Sequence, residues 1–217
     1  MTPAEALRER IQLSVFEDPL FAQNCYILRR RDSRSAVIID PGLQYQPVID
    51  LVERDDLRVD RILLTHGHVD HLAGVPSVRG ATQAPVGMHP ADLAIVDFDR
   101  MAQMPFIPTG FGPFAIDLLL GAGLEIPFED LIVRVLETPG HTEGSVCFLV
   151  GLDCFSGDTL FQRSIGRTDL PGGDMEKIVF SIRNVLYKLP SQTLVYPGHG
   201  PRTEIKSEMA LNPFVPA

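Results

Sequence analysis

The chain has 217 residues, of which 45% are hydrophobic and 22% charged, so we expect one globular domain covering residues 1–217 with a single sizeable core. The formal charge of -9 argues against a general affinity for nucleic acid or for an anionic membrane, because no basic tract could displace counterions from phosphates. A small molecule is therefore the expected partner.

The sequence gives no sign of export or of a membrane span. Residues 1–10 are charged and begin with a Thr2-Pro3 helix-start signal, unlike a secretory signal peptide. The longest uncharged run, residues 101–116, is interrupted by prolines and glycines and is too short to cross a bilayer. The three cysteines lack the spacing of a zinc site and lie in apolar stretches, which indicates buried thiols in a reducing, cytoplasmic compartment. They are Cys25, Cys147 and Cys154.

The first part of the chain predicts strands followed by a helix. Runs rich in Val, Ile, Phe and Tyr at residues 11–16, 23–30 and 35–40 predict a three-stranded meander. A helix is predicted from Pro47 to residues 55–56, because its apolar side chains fall on one face. Residues 61–65 are apolar throughout their centre, as in a central strand covered on both faces.

A polar decapeptide, residues 65–74, follows that strand directly and contains His66, His68, Asp70 and His71. Imidazole and carboxylate are ligands of zinc, iron and manganese. In an extended backbone His66 and His68 point the same way, whereas Asp70 and His71 can point elsewhere, so one stretch can serve two ions. Sites in layered α/β proteins lie beyond the carboxyl ends of strands, where this segment falls. The alternative is a polar loop whose histidines only form hydrogen bonds.

The middle of the chain is less regular. A short helix is predicted at residues 72–78 and a strand at 85–89, after which Pro90 signals a helix start. We assign His89 a packing or capping role. Residues 97–120 carry methionines and phenylalanines among prolines and glycines, as in a binding loop with an apolar channel wall. A covered connection or a dimer contact is the alternative.

The second half repeats the pattern of the first. Strands are predicted at residues 131–137, 145–150, 153–156 and 193–196, and a helix from the N-cap Asp174 to Pro190. His141, Asp158 and His199 follow strand ends, so five of the six histidines lie at strand-to-loop junctions. Two such β-then-α halves predict an α/β fold, a four-layer αββα sandwich with the site in the groove between its sheets.

Taken together, these motifs closely resemble the metallo-β-lactamase superfamily over nearly the whole chain. They are HxHxDH at 66–71, Pro-Gly-His at 139–141, Ser-Gly-Asp-Thr at 156–159 and Pro-Gly-His-Gly at 197–200. The resemblance implies two divalent metal ions per chain, with zinc expected and iron or manganese as alternatives. It implies that one ion is held by His66, His68 and His141, the other by Asp70, His71 and His199, and that Asp158 bridges them.

Within the superfamily, Gly-Asp-Thr-Leu-Phe at 157–161 and Gly-Arg-Thr-Asp at 166–169 resemble the glyoxalase II (hydroxyacylglutathione hydrolase) branch, whose members hydrolyse thioesters such as S-lactoylglutathione. By that resemblance Arg167 is the candidate contact for a glutathione carboxylate; the alternative is a loop-bracing salt bridge with Asp169. Only 18 residues follow His199, and Thr168 and Asp169 stand where longer relatives place a tyrosine. We therefore expect the compact single-domain type, whose thioester need not be linked to glutathione.

The implied mechanism is hydrolysis. Two adjacent cations would lower the pKa of a shared water and supply a nucleophile at neutral pH. Asp70 would accept a hydrogen bond from that nucleophile and orient it, which makes Asp70 the candidate catalytic residue. Asp40, Thr142 and Thr159 are candidates for hydrogen bonds that orient ligands, with a role in turns as the alternative.

Two other activities remain open, and two further roles are disfavoured. A persulfide dioxygenase, also similar in sequence, would hold one Fe(II) with His66, His141 and Asp158; Gly200, directly after the last histidine, favours the hydrolase. A lactonase would use the same nucleophile on a cyclic ester. A purely structural metal site is disfavoured because such sites use four closed ligands, and a nuclease is disfavoured by the acidity of the chain.

Overall fold

The computed structural model describes residues 8–216, so the Thr2-Pro3 helix-start signal lies outside the described residues. Within that range no helix combines the length and the apolar character that crossing a bilayer requires. The three cysteines are buried and free, as predicted.

The N-terminal sheet has six strands in chain order from one edge to the other. Its first three strands form the predicted antiparallel meander, and each later strand lies parallel to the one before it. The strands are β1 (Ile11–Glu17), β2 (Asn24–Arg30), β3 (Ser35–Ile39), β4 (Arg58–Leu63), β5 (Val86–Met88) and β6 (Leu118–Leu119).

The C-terminal sheet also has six strands, and a short separate hairpin follows its fourth strand in the chain. In chain order they are β7 (Glu125–Phe128), β8 (Leu131–Glu137), β9 (Val146–Val150), β10 (Asp153–Gly157), the hairpin strands β11 (Leu160–Phe161) and β12 (Ser164–Ile165), β13 (Leu194–Pro197) and β14 (Thr203–Glu204). The spatial order is β14-β13-β10-β9-β8-β7, and only the β10 and β13 pair is parallel among the described strands of this sheet.

Helices cover the outer face of each sheet. They are α1 (Gln46–Arg54), α2 (Val69–Leu72), α3 (Val75–Thr82), α4 (Phe98–Ala102), α5 (Met175–Asn184) and α6 (Ile205–Leu211), with 3₁₀ helices at Pro90–Ala94 and Leu186–Lys188.

Alternating side chains divide the interior into three apolar layers. On β2, Cys25 and Ile27 pack against the N-terminal helices, whereas Tyr26 and Leu28 pack against the other sheet. The outer face of the C-terminal sheet packs on its own helices, for example through Ile178 of α5. Successive strand residues face opposite sides, so a sheet buried on both faces is apolar at every position. The predicted four-layer αββα sandwich is confirmed.

Several predicted boundaries were wrong. The helix at 72–78 is two helices, because Pro76 has no N–H to donate to the preceding turn; α2 ends at Leu72, and α3 begins at Val75 with Pro76 in its first turn. The helix predicted to reach Pro190 ends its α-helical part at Asn184 and continues as a 3₁₀ turn. The strand predicted at 61–65 begins earlier, at Arg58, and ends at Leu63. The C-terminal helix α6 was not predicted.

Backbone hydrogen bonds join the two sheets at one edge. The Val146 N–H donates to the Thr65 carbonyl at 2.9 Å, and the Asn24 N–H donates to the Gly198 carbonyl at 2.7 Å. Thr65 and Gly198 each precede a candidate ligand by one residue, so the junction fixes the histidines from the two halves of the chain relative to one another. The candidate site lies at this edge.

Candidate metal centre

Three histidines form the first cluster, which contains His66, His68 and His141. The Nε2 atom of His141 lies 3.2 Å from His66 Nε2 and 2.8 Å from His68 Nδ1. Two nitrogens bound tetrahedrally to one zinc ion at about 2.0–2.1 Å are separated by about 3.3 Å. The nitrogen spacing of the first cluster therefore suits a single cation.

Asp70, His71 and His199 form the second cluster. The Nε2 atoms of His71 and His199 are 3.3 Å apart, and Asp70 Oδ2 lies 3.3 Å from the same His199 atom. Asp70 Oδ2 is 3.8 Å from His71 Nε2. All three donor atoms lie within 4.8 Å of one another, so this cluster could hold a second ion.

Asp158 lies between the clusters. Its Oδ1 atom is 3.3 Å from His71 Nε2, and its Oδ2 atom is 3.5 Å from both His141 Nε2 and His199 Nε2. Among the described residues Oδ1 is buried and accepts no hydrogen bond. A buried carboxylate oxygen without a donor is costly, and a cation would supply the missing partner. The donor set and this oxygen fit divalent metal ions.

Hydrogen bonds on the far side of three rings orient them. His141 Nδ1 donates to the Arg167 carbonyl at 2.8 Å, and His199 Nδ1 donates to the Phe21 carbonyl at 2.9 Å. His71 Nδ1 donates to Asp40 Oδ2 at 2.9 Å. When such a ring is neutral, donation through Nδ1 leaves Nε2 unprotonated, which is the tautomer that binds a metal.

Asp40 contacts both clusters, directly and through Thr65. The Thr65 hydroxyl donates to Asp40 Oδ2 at 2.6 Å, and the Thr65 N–H donates to Oδ1 at 2.7 Å. The same hydroxyl lies 3.1 Å from His66 Nδ1 and can accept a hydrogen bond from it. The prediction that Asp40 contacts a candidate ligand is confirmed.

For Thr142 and Thr159 the predicted contact with a ligand was wrong, and the alternative role in turns is confirmed. The Thr142 hydroxyl donates to Asp92 Oδ2 at 2.8 Å, and the Thr159 hydroxyl lies 3.0 Å from that of Thr138. Neither side chain bonds a candidate ligand. The predicted capping role of His89 is confirmed, since its Nδ1 accepts the Ala91 N–H at the start of a 3₁₀ helix.

Asp92 is the site residue that sequence reasoning missed. Its fully buried carboxylate accepts the N–H groups of Gly67 and Gly144, each at 2.7 Å, besides the Thr142 hydroxyl. The only sequence signal was its position just after a strand end, which it shares with several of the candidate ligands.

Burial keeps two rings of the first cluster neutral. Burial, reinforced by the nearby His71 and His141, holds the pKa of His66 well below its ordinary value. Burial and the neighbouring His141 lower the pKa of His68 to about 4. Neutral imidazole is the form that binds a metal, so these two rings need not lose a proton at pH 7.

The carboxylates have the opposite effect at the second cluster. Burial by itself would lower the pKa of His199, but hydrogen bonds to Asp158 and Asp70 outweigh it and raise this pKa to about 10. The same carboxylates together with Asp40 outweigh burial at His71 and raise its pKa well above the ordinary value. A bound cation would replace these protons, since the negative charge that attracts a proton also attracts a metal.

A pocket of about 900 Å³ opens over both clusters. Its floor includes Asp70, Asp158 and His199, and its walls are mostly apolar. The rings of Phe21 and Phe106, both in its lining, pack edge to face with centroids 4.9 Å apart. Further wall residues are Ile95, Met101, Met104, Phe161, Ile165 and Leu170.

The predicted apolar channel wall at residues 97–120 is confirmed for part of that segment. Met101, Met104 and Phe106 line the pocket, whereas Phe111 and Phe114 pack against the N-terminal helical layer. The first part of the segment therefore forms pocket wall, and its later part is a covered connection.

Two arginines line the same pocket. The guanidinium of Arg167 donates two hydrogen bonds of 2.7 Å to the Asp169 carboxylate, which is the salt bridge foreseen as its alternative role. Arg100 forms no ion pair with any residue in the range 8–216. Of these two cations, Arg100 is the one whose charge is not already neutralised.

Comparison with known proteins agrees with this geometry. A family model described as the metallo-beta-lactamase superfamily matches residues 18–199. An uncharacterized protein of Mycobacterium leprae is 38% identical over 210 residues, which are 88% of this chain and 93% of that protein. The hydroxyacylglutathione hydrolase GloC of Haemophilus influenzae is 33% identical over 204 residues, with 90% and 93% of the two chains covered.

Solved structures give the same result. The BLEG-1 B3 metallo-beta-lactamase superimposes with a TM-score of 0.85 at 36% identity, covering 95% of this chain and 100% of that one. The di-iron-bound form of TTHA1623 gives 0.81 at 35% identity, with 93% and 100% covered. ETHE1 from Myxococcus xanthus gives 0.77 at 31% identity, with 93% and 83% covered. With its sandwich fold and its two clusters of candidate ligands, the chain belongs to the metallo-β-lactamase superfamily.

Proposed function

We propose that the protein is a hydrolase that uses two divalent cations to cleave a thioester. The observation that carries this proposal is the position of Asp158, whose carboxylate lies within 3.5 Å of ring nitrogens from both clusters. One carboxylate so placed can contact two ions at once, which is the arrangement used for hydrolysis by paired metals.

The first ion would be held by His66, His68 and His141, and the second by Asp70, His71 and His199, with Asp158 shared. Zinc is the expected metal because the donors are nitrogen and oxygen atoms at tetrahedral spacing. Iron is the alternative, and the likeness to a structure named as a di-iron-bound form supports a two-ion site.

When bound, the two cations would supply a water-derived nucleophile at neutral pH and would polarise the thioester carbonyl. Asp70 lines the pocket floor, so its carboxylate can accept a hydrogen bond from the attacking water and orient it toward the acyl carbon. The acyl carbon gains the water oxygen, the C–S bond breaks, and the sulfur leaves as a thiol. The apolar pocket walls shield this step from bulk solvent.

The pocket supports a small-molecule thioester as substrate. Its volume of about 900 Å³ is that of a pocket for a ligand of a few hundred daltons. Similarity to GloC of Haemophilus influenzae supports a hydroxyacyl thioester such as S-lactoylglutathione. We propose Arg167 and Arg100 as the contacts for an anionic part of the substrate, because guanidinium groups bind carboxylates bidentately.

A persulfide dioxygenase with one Fe(II) is the second candidate. His66, His141 and Asp158 present two imidazoles and one carboxylate at close range, a donor set suited to iron and O₂. The likeness to ETHE1 from Myxococcus xanthus is compatible with both candidates.

Kinetics and metal analysis on one sample test the proposal. Hydrolysis of S-lactoylglutathione is measured beside other thioesters and a lactone, together with O₂ uptake in the presence of glutathione persulfide. Two metal equivalents, thioester hydrolysis and its loss in Asp158→Ala with the fold intact are expected. One iron per chain with O₂ uptake would establish the dioxygenase. Preferential opening of the lactone would indicate a lactonase, and the absence of any turnover would indicate a structural metal site.

A further inference from the structure

A buried acidic side chain, Asp92, binds the backbone near the first cluster and forms no hydrogen bond with a candidate ligand side chain. It is in the 3₁₀ helix Pro90–Ala94 that follows β5, and no part of it reaches solvent. We infer that Asp92 is a positioning residue, which holds together the two loops that carry the first cluster and so sets its affinity for a metal ion.

The hydrogen bonds of Asp92 connect those loops. Oδ2 accepts the N–H of Gly67, which stands between His66 and His68 in the chain. Oδ1 accepts the N–H of Gly144, three residues after His141, at 2.7 Å. One carboxylate thus binds the backbone beside all three ligands of the first cluster.

The hydroxyl of Thr142 adds a third donor from the His141 loop, at 2.8 Å from Oδ2. An ionised carboxylate accepts such bonds strongly, and each is worth more than a bond between neutral groups. Because both oxygens are used and the group is buried, the carboxylate cannot shift without leaving N–H groups unsatisfied. The spacing of the two loops is therefore fixed by one side chain.

The close approach of Gly144 supports this role. A Cβ atom added to Gly144 would lie 2.5 Å from Asp92 Oδ1, nearer than side chains tolerate. A larger residue would push the His141 loop away from the carboxylate. Glycine at this position allows the contact that Asp92 makes.

Asp92 serves the first cluster more than the second. The outward ring nitrogen of His71 is held by Asp40, and that of His199 by the Phe21 carbonyl. None of the hydrogen bonds of Asp92 goes to residues 70–71 or 197–199. Loss of the Asp92 carboxylate should thus weaken one metal-binding step selectively.

The variant Asp92→Asn tests this inference. Its amide keeps the shape of the carboxylate, but its NH₂ group would face a backbone N–H, so one loop must move. Residues that orient metal ligands typically change affinity by about 10–100-fold, and a decrease of that size is expected for one Zn²⁺ equivalent. Zn²⁺ affinity is measured by competition with a chelating dye on the whole 217-residue chain.

A matched control is available at Glu208. This carboxylate is also buried and accepts three hydrogen bonds, from the Arg163 N–H, the Thr203 hydroxyl and the Asn212 amide, but it faces none of the candidate ligands. Glu208→Gln should lower the thermal stability without changing the affinity for Zn²⁺. Equal loss of Zn²⁺ affinity in both variants would mean that Asp92 acts only through overall stability, which would overturn the inference.

The His199→Ala background shows which cluster Asp92→Asn weakens. The second cluster lacks a ligand in this background, so the Zn²⁺ equivalent that still binds reports the affinity of the first cluster. A normal affinity of Asp92→Asn in this background would also overturn the inference. If Asp92→Asn does not fold, Thr142→Val decides. A lower Zn²⁺ affinity in Thr142→Val, together with a normal affinity in Thr142→Ser, supports the role of Asp92. An unchanged Zn²⁺ affinity in Thr142→Val contradicts it.

The inference rests on the proposed occupancy of the first cluster and not on the substrate. Wild-type protein that binds no Zn²⁺ would overturn the proposed metal site and the role of Asp92 together. Wild-type protein that binds Zn²⁺ but hydrolyses no thioester would overturn the proposed activity alone.

Discussion

Asp40 Oδ2 accepts a hydrogen bond from His71 Nδ1 at 2.9 Å, and both side chains are buried. Asp40 itself has a positive φ of 51°, a conformation that aspartate and asparagine tolerate better than most residues. The backbone at Asp40 therefore tolerates asparagine, so this substitution changes the hydrogen bonds that the side chain accepts from His71 and Thr65 without straining the backbone.

We expect Asp40→Asn to lower the Zn²⁺ affinity of the second cluster by about 10–100-fold, because the His71 ring loses the negative acceptor that orients it. Dye competition in the His68→Ala background, which impairs the first cluster, measures this step. Thr65→Val is the matched control, since it removes a hydroxyl bonded to Asp40 but leaves the contact with His71. An equal loss of second-cluster affinity in Thr65→Val would contradict a direct effect on His71.

Gly198 stands where a side chain would collide with two of the candidate metal ligands. A Cβ atom there would overlap Asp158 Oδ1 and lie 2.6 Å from His71 Cε1. We expect Gly198→Ala to displace the shared carboxylate and to reduce hydrolysis at least about 100-fold, because misplacement of a reacting group by 1 Å has effects of that order. Loss of bound metal should accompany the loss of hydrolysis.

Gly80→Ala is the control for this glycine substitution. Nothing lies within 4 Å of a Cβ added at Gly80, which is in the helix α3, so the alanine should be neutral or slightly stabilising. Circular dichroism and metal content are measured for both variants. Wild-type metal content and turnover in Gly198→Ala would refute the expected collision.

The sequence predicted the parts of this site that depend on local pattern. His66, His141 and His199 each follow a strand, and strand ends at one edge of a sandwich converge, so their proximity could be foreseen. Asp40 could be named for a similar reason, because it directly follows β3 and its N–H donates to the carbonyl of Leu63, the last residue of β4. These inferences need only the periodicity of the strands and their order in the sheets.

Contacts between distant loops could not be predicted. Asp92 bonds Gly67 and Gly144, which lie 25 and 52 residues away in the chain, and no periodicity encodes that pairing. The Thr142 hydroxyl was expected to face a ligand but faces Asp92, since the rotation of a hydroxyl depends on the nearest strong acceptor. For Arg167 the sequence left both roles open because Asp169 lies only two residues away.

Asp117 lies near the end of the segment 97–120 and forms hydrogen bonds with residues of β5 and α3. The Val86 N–H and the Arg79 guanidinium both donate to its carboxylate and hold the pKa of Asp117 below its ordinary 3.8. A depressed pKa in the folded state means that the stabilising contribution is present above the unfolded value and is lost as the pH falls through the folded value. Asp117→Asn should therefore lower the thermal midpoint at pH 7 but not in strong acid.

Thermal midpoints of wild type and Asp117→Asn, recorded from pH 7 down to about pH 2, test this expectation. Glu53→Gln serves as the control, because its exposed carboxylate forms no hydrogen bond with any described residue. The difference between wild type and Asp117→Asn should shrink as the pH falls below 3.8, whereas that for Glu53→Gln stays near zero. A difference independent of pH would show that the Asp117 carboxylate charge has no part in it.

Arg100 and Arg167 should contribute unequally to binding an anionic thioester. The Arg167 guanidinium already carries two hydrogen bonds to Asp169, whereas Arg100 pairs with no acidic residue among those described, so only Arg100 offers its full charge. Arg100→Met should raise KM about tenfold with little change in kcat, because binding that is equal in ground and transition states affects KM alone. Arg167→Met should raise KM less, and the KM for a neutral thioester of similar size should change in neither variant.

Steady-state kinetics on the anionic and neutral substrates separate charge recognition from loss of packing. A larger KM effect at Arg167 would mean that substrate displaces Asp169, and would reverse the assignment.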